Sequence, residues 1–200
     1  MYYSILIQII LLFILPILLL RFHLIKPKYR FFVFIIVFFA ILTIVISQQW
    51  SASDLGLRVD NLKSAIIPYG VFTILGIFGI FFYAHRLDRK TTKEWWAYWH
   101  FQWGFLILAF LQQFVFQGFL IHQLQVLSIN SGFIVIIVGF LYSFMHIIFD
   151  SFRAGIPLLI VAGIAFSSLY LLYPNLIIAT LSHALLNFFA VLYGFFSKTR

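Results

Sequence analysis

The sequence predicts an all-α, polytopic transmembrane bundle of about seven helices, and three observations carry that prediction. Hydrophobic residues make up 64% of the 200 positions and charged residues 9%, more apolar surface than a water-soluble core can hide. Apolar runs of about 17–25 residues, the length that crosses a bilayer, recur along the chain. The 13 Lys and Arg sit in the short segments between those runs, where they read as a topology signal and not as a nucleic-acid-binding face. The lipid bilayer is the expected solvent, in a multi-pass protein of the cell membrane with no nucleic-acid partner.

The first run, Tyr3 to Leu20, contains Pro16, which a membrane bundle accommodates with a local kink. No small-residue cleavage site closes it, so it reads as a retained helix. A second run spans roughly Phe31 to Gln49, and a polar stretch up to Lys63 separates it from a third at Ser64 to Ala84. The following segment is charged and ends in aromatics. Trp95, Trp96, Trp99 and Trp103, with Trp50, mark membrane boundaries, and Trp96, Trp99 and Trp103 would share one face of a surface-lying helix. The fourth helix is expected at about Phe101 to Gln125 and the fifth at about Gly132 to Phe149. The sixth follows at Gly155 to Tyr173 and, after a Pro174-Asn175 turn, the seventh at Asn175 to Phe196. Residues 1–49 form two N-terminal helices ahead of a core unit of residues 50–200. Counting Lys and Arg in alternate connections gives eleven on one side and only Arg58 and Lys63 on the other. The positive-inside rule then sets the N-terminus outside and the C-terminus in the cytoplasm.

Polar side chains at membrane depth are costly and tend to face the bundle interior, so they single out candidate sites. Gln113 and Gln117 share a face of helix four, with Gln112 at its edge. Tyr142, His146 and Asp150 form a stripe on helix five, as do Thr180, His183 and Asn187 on helix seven. At about 1.5 Å rise per residue, Gln112 and Gln113 lie roughly 18 Å from the cytoplasmic end, His183 about 20 Å, Asn187 about 14 Å and His146 about 6 Å. These depths overlap enough for one cavity open to the cytoplasm.

In this order and spacing, FLQQFVFQGFL (110–120), YSFMH (142–146) and HALLN (183–187) resemble the three motifs of the CPBP (Abi) family of intramembrane proteases. That family includes CAAX-processing endoproteases and bacteriocin self-immunity proteins. Its motifs are Glu-Glu-x-x-x-Arg, Phe-x-x-x-His and His-x-x-x-Asn on three separate helices. SDLGLR (53–58) looks like a further family segment, so the resemblance covers about residues 50–195. It implies that Gln112, Gln113, Gln117, His146, His183 and Asn187 occupy the catalytic motif positions, with Tyr142 in place of the family's Phe, a mild change. It also implies a mechanism in which glutamate, helped by histidine, activates water while His and Asn stabilise the oxyanion.

The departures shape the expected function. Glutamine keeps the shape of glutamate but accepts no proton at any useful pH, so hydrolysis by the family mechanism should be lost or severely reduced. Loss of the arginine together with both carboxylates is coherent, because an unpaired guanidinium at that depth would be costly. The expectation is a pseudoprotease with a binding, regulatory or immunity role, whose partner is a membrane-proximal or lipidated peptide or another membrane protein. The alternatives are an active CAAX-type endopeptidase, with Asp150 as a substitute base, and a purely structural membrane partner. Cysteine is absent, and no His-Glu-x-x-His, mid-membrane aspartate pair or Gly-x-Ser-x-Gly supports another hydrolytic mechanism. No cofactor is expected, since His146 and His183 alone make a poor metal site without a carboxylate or third ligand.

Overall fold

The computed structural model of the chain describes residues 2–91, 93–97, 104–148 and 156–195. Five helices in it are long and apolar enough to cross a membrane: α1 (Tyr3–Arg21), α2 (Pro27–Ser47), α3 (Leu62–Arg86), α4 (Phe105–Val126) and α5 (Ser131–Ile148). Two shorter apolar helices follow, α6 (Ile156–Leu172) and α7 (Leu176–Leu192). Among the described residues this is the expected all-helical membrane bundle, and each predicted run coincides with one helix. Asp150, Trp99 and Trp103 lie outside the described residues. Of the proposed surface helix, Trp95–Ala97 form one short 3-10 turn, with Trp95 edge-on to Phe188 of α7.

Helix α3 turns a stripe rich in small and polar residues inward and an apolar stripe outward, the reverse of what water would select. On α3, Ala65, Tyr69, Thr73, Ile80 and Ala84 are buried, while Ile67, Val71, Ile74, Phe78 and Phe82 are exposed. That outer stripe is the surface lipid tails cover. Inside, the close approaches occur where side chains are smallest. A Cβ added at Gly163 of α6 would lie 3.0 Å from Gly139 Cα of α5, so α5 and α6 meet backbone to backbone. α7 packs between α3 and α4, and Thr73 Oγ1 of α3 lies 2.6 Å from Ser182 Oγ. That bond fixes the rotation of α7 one residue from His183.

Two helices carry π segments. In α1 the segment is Ile10–Ile14, directly before Pro16, which cannot donate the backbone bond a regular helix needs there. In α4 it is Phe114–Leu120, every residue of which is buried. The two segments touch through Phe13, 5.3 Å from Phe116 and 6.4 Å from Phe119 between ring centroids. Gln123 Nε2 donates to Gln8 Oε1 nearer the other end of the same contact.

The polar stretch before α3 docks on the α6–α7 turn. Tyr170 donates to Leu55 O at 2.7 Å, and Leu176 N to Gly56 O at 2.8 Å. Asn175 caps α7 by accepting from Ile178 N, and its amide donates to Arg58 O and Asn61 Oδ1. Gly56 takes φ +71°, a conformation a glycine adopts without steric cost. Gly118 gives room to this stretch: a Cβ there would lie 3.2 Å from Leu55 O.

Candidate functional site

His183 is the hub. It sits mid-way along α7, 2% exposed, with a partner on each ring nitrogen from a different helix. Gln113 Nε2 of α4 is 2.9 Å from Nδ1, and Tyr142 Oη of α5 is 3.0 Å from Nε2. An amide nitrogen donates, so Nδ1 is the acceptor, Nε2 carries the proton and the Tyr142 oxygen receives it. The ring is therefore neutral and held at both ends by neutral groups.

His146 closes α5, in the 3-10 turn that ends it. Its Nδ1 donates to the Tyr142 carbonyl at 2.8 Å, one helical turn back, which places its ring beside the phenol. Tyr142 lies against both histidines, with ring centroids 4.9 Å from His146 and 5.8 Å from His183. Phe116 of the α4 π segment packs edge-on against the phenol at 5.6 Å. Asn187 lies half-buried one turn beyond His183 on α7.

The three glutamines are buried, at 7%, 1% and 1% exposure for Gln112, Gln113 and Gln117. Among the described residues, the side-chain oxygen of each has no hydrogen-bond partner, and neither has Thr180 Oγ1, one turn from His183. Buried acceptors without donors are uncommon and expensive. Here four of them gather on the α4 and α7 stripes singled out in the sequence. The π segment begins directly after Gln113 and contains Gln117, so both glutamines border the wider turns that commonly mark functional positions.

The cavity found here takes in one of the six expected residues. A cavity of about 340 Å³ lies between α1, α2, α4 and α5, and Gln112 lines it, whereas Gln113, Gln117, His146, His183 and Asn187 do not. The roughly 100° between successive helical residues turns Gln112 toward α1 and Gln113 toward α7. Sequence reasoning also rated the Tyr142 change as mild, yet its hydroxyl is one of the two bonds on His183. The signal was present: Tyr142 lies one turn from His146, and a phenol at membrane depth needs a partner. A metal at His146 and His183 would have to displace Gln113 or Tyr142, because both nitrogens of His183 are engaged. Among the described residues, no group of three or more His, Asp or Glu is placed to hold one.

A family model described as type II CAAX prenyl endopeptidase Rce1-like matches residues 94–189. Over that stretch, just under half of the chain, the sequence is similar to the CAAX-protease (CPBP) family. The match takes in α4 to nearly the end of α7 and all six candidate residues, and leaves α1, α2, α3 and the SDLGLR segment outside. No curated protein and no solved structure gave a match. Within this CAAX-protease-like segment, the glutamines, histidines and Asn187 stand on the three helices that converge on His183 and Tyr142.

Proposed function

We propose that this CAAX-protease-like membrane protein is a pseudoprotease, holding a membrane-proximal or lipidated peptide, or another membrane protein, without cutting it. One observation carries the reading: the groups on the two nitrogens of His183 are an amide and a phenol. Water activation by this site needs a base, and neither group takes a proton near neutral pH. What remains around His183 is a set of hydrogen-bonding groups, with Gln113, Gln117 and Thr180 carrying unpartnered acceptors among the described residues, suited to recognising donors such as peptide N–H groups. A regulatory or immunity role follows from binding without turnover. The N-terminus is assigned to the outside and the site's opening to the cytoplasm, on the eleven-to-two distribution of Lys and Arg.

The test is restoration. The triple variant Gln112→Glu, Gln113→Glu, Gln117→Arg and the wild type are incubated in liposomes with a panel of membrane-proximal and lipidated peptides. The wild type should show no cleavage above that of His183→Ala, and the triple variant should gain it. Cleavage by the wild type that His183→Ala abolishes would overturn the proposal. Peptide retention by the wild type, lost in an equally expressed Asn187→Ala variant, would separate a binding role from a purely structural one.

A further inference from the structure

Gln112 differs from the other two glutamines in lining the cavity between α1, α2, α4 and α5. The walls around it are apolar, with Phe13 and Ile17 from α1, Phe34 and Val37 from α2, and Val115 and Phe116 from α4. Leu20, Phe31, Gly104 and Ile148 form one rim, close to where α1 ends, α2 begins, α4 begins and α5 ends, so the cavity reaches the membrane surface at that end of the bundle. Arg30 also borders this rim but is engaged in contacts of its own. From Gly104 the cavity follows α4 as far as Phe116, about 18 Å at 1.5 Å per residue, close to the ~15 Å hydrocarbon depth of one leaflet. Its volume of about 340 Å³ lies at the lower end for small-molecule sites, which suits one extended chain and not a pair.

The one polar side chain at depth sits part-way along. Gln112 follows Gly104 by about 12 Å at 1.5 Å per residue. It is more than nine-tenths buried, and among the described residues its side-chain oxygen has no hydrogen-bond partner. A half-turn about its last side-chain torsion exchanges oxygen and nitrogen, so the amide offers an acceptor in one setting and a donor in the other. A hydroxyl both donates and accepts, and it satisfies either setting. It also enters hydrocarbon at far lower cost than a carboxylate or an ammonium. One turn beyond Gln112 the wall is aromatic again, with the rings of Phe13 and Phe116 5.3 Å apart. The matching ligand is a single chain with an apolar tip and a hydroxyl in its middle.

We propose that the cavity binds a mid-chain hydroxy fatty acid, with its carboxylate in water at the rim, its hydroxyl on the Gln112 amide and its tail against Phe13 and Phe116. The carboxylate needs no partner from the protein, and the depth of Gln112 does the selecting. A hydroxyl next to the carboxylate would reach the amide only by drawing the charge about 12 Å into hydrocarbon, at a steep cost. A plain fatty acid leaves the amide unpaired, and a diacyl phospholipid has a second chain to place. About half of the lining comes from α1 and α2, outside the family-matched segment, so the site stands whether or not the histidine site cuts.

The experiment uses the full chain in nanodiscs and tritiated stearate carrying a mid-chain hydroxyl, displaced by unlabelled competitors and measured against empty nanodiscs. The unlabelled mid-chain hydroxy acid should displace the label about five- to tenfold better than stearate, the effect of one buried hydrogen bond. It should outcompete the isomer with the hydroxyl next to the carboxylate by at least as much. Gln112→Leu should erase both preferences while stearate still binds, since an apolar chain fits the altered wall. Leu108→Trp, which narrows the cavity at a half-buried position, should abolish saturable binding and leave helical content unchanged. Equal displacement by stearate in the wild type would overturn the proposal, as would a hydroxyl preference that survives Gln112→Leu. Binding no greater than that of empty nanodiscs, or saturable binding untouched by Leu108→Trp, would reduce the signal to ordinary lipid solvation or another site and overturn it equally.

Discussion

Tyr142→Phe introduces the phenylalanine of the motif this chain resembles and deletes a single atom, so its effect reads one interaction. The phenol is 3.0 Å from His183 Nε2, and both side chains are buried. With Gln113 donating to Nδ1, the variant leaves an imidazole N–H with no acceptor in a dry interior. A buried donor stranded in this way costs about 1–3 kcal/mol in soluble proteins. Interhelical hydrogen bonds in membranes average nearer 0.6 kcal/mol and reach about 1.7, because the unfolded helices in lipid also find partners. His183 is held from two helices at once, so the upper part of the membrane range applies, and we expect a loss of about 1–1.5 kcal/mol. Ring packing against Phe116, His146 and His183 stays, which removes a cavity contribution.

The assay is reversible unfolding in mixed micelles, run as a double-mutant cycle with Gln113→Leu. If the two bonds hold one ring, the cycle should show coupling of at least ~0.5 kcal/mol. Nitrogen NMR of the His183 ring should report a protonated Nε2 in the wild type and a shifted Nε2 signal in Tyr142→Phe. A Tyr142→Phe variant as stable as the wild type, with unchanged ring signals, would refute the reasoning, because the hydroxyl would then not be bonded to His183.

Three other changes test the scaffold. Gly139→Ala places a methyl 2.6 Å from Ile164 Cγ1 and 3.0 Å from Ile164 N, so α5 and α6 must separate, at about 1–3 kcal/mol by the same unfolding assay. Gly56→Ala meets the Tyr170 hydroxyl and retains a φ of +71°; lost stability of about 2 kcal/mol should follow from the strain and the weakened Tyr170 to Leu55 bond. Asp54 is held below the usual carboxylate range first by the Ser51 hydroxyl and then by the Ser51 backbone N–H. Its contribution is therefore present above the ordinary carboxylate pKa and fades as pH falls, and Ser51→Ala should move the Asp54 titration upward in a carbon NMR titration.

The helices were legible because lipid imposes a length and a composition that each run displays without ambiguity, from Tyr3 to Leu192. The stripes were legible too: i, i+4 spacing put Tyr142 beside His146, and i, i+3 spacing put Thr180 beside His183. Spacing along one helix does not say how neighbouring helices are rotated, and that is where the reading fell short. Thr73 and Ser182 set the rotation of α7, Gly139 and Gly163 set the approach of α5 to α6, and interhelical contacts of this kind decide that Tyr142 meets His183. The division of Gln112 from Gln113 has the same origin. Adjacent residues on a helix face different neighbours, and the presence of α1 and α2 on one side of α4 gives Gln112 a cavity that a motif describes as part of one site. The π turn at Phe114–Leu120 was not readable, since nothing in FVFQGFL breaks a helix.

The bond between Gln113 and His183 also dictates what a restored carboxylate would do. A carboxylate at position 113 can only accept, so Nδ1 would have to carry the proton and Nε2 would become a lone pair. Tyr142 fits either arrangement, since its hydroxyl both donates and accepts. In the native chain it receives the Nε2 proton; in the Gln113→Glu variant it would donate and cover that lone pair. Gln113→Glu should therefore reverse the His183 tautomer, visible as an exchange of the Nδ1 and Nε2 nitrogen signals, without itself exposing a free base. Such an exchange with no gain of cleavage in the triple variant, followed by cleavage once Tyr142→Phe is added, would identify the phenol as a second block on the chemistry. An unchanged tautomer in Gln113→Glu would show that the Gln113 amide does not set it, and the neutral clamp on His183 would lose its main support.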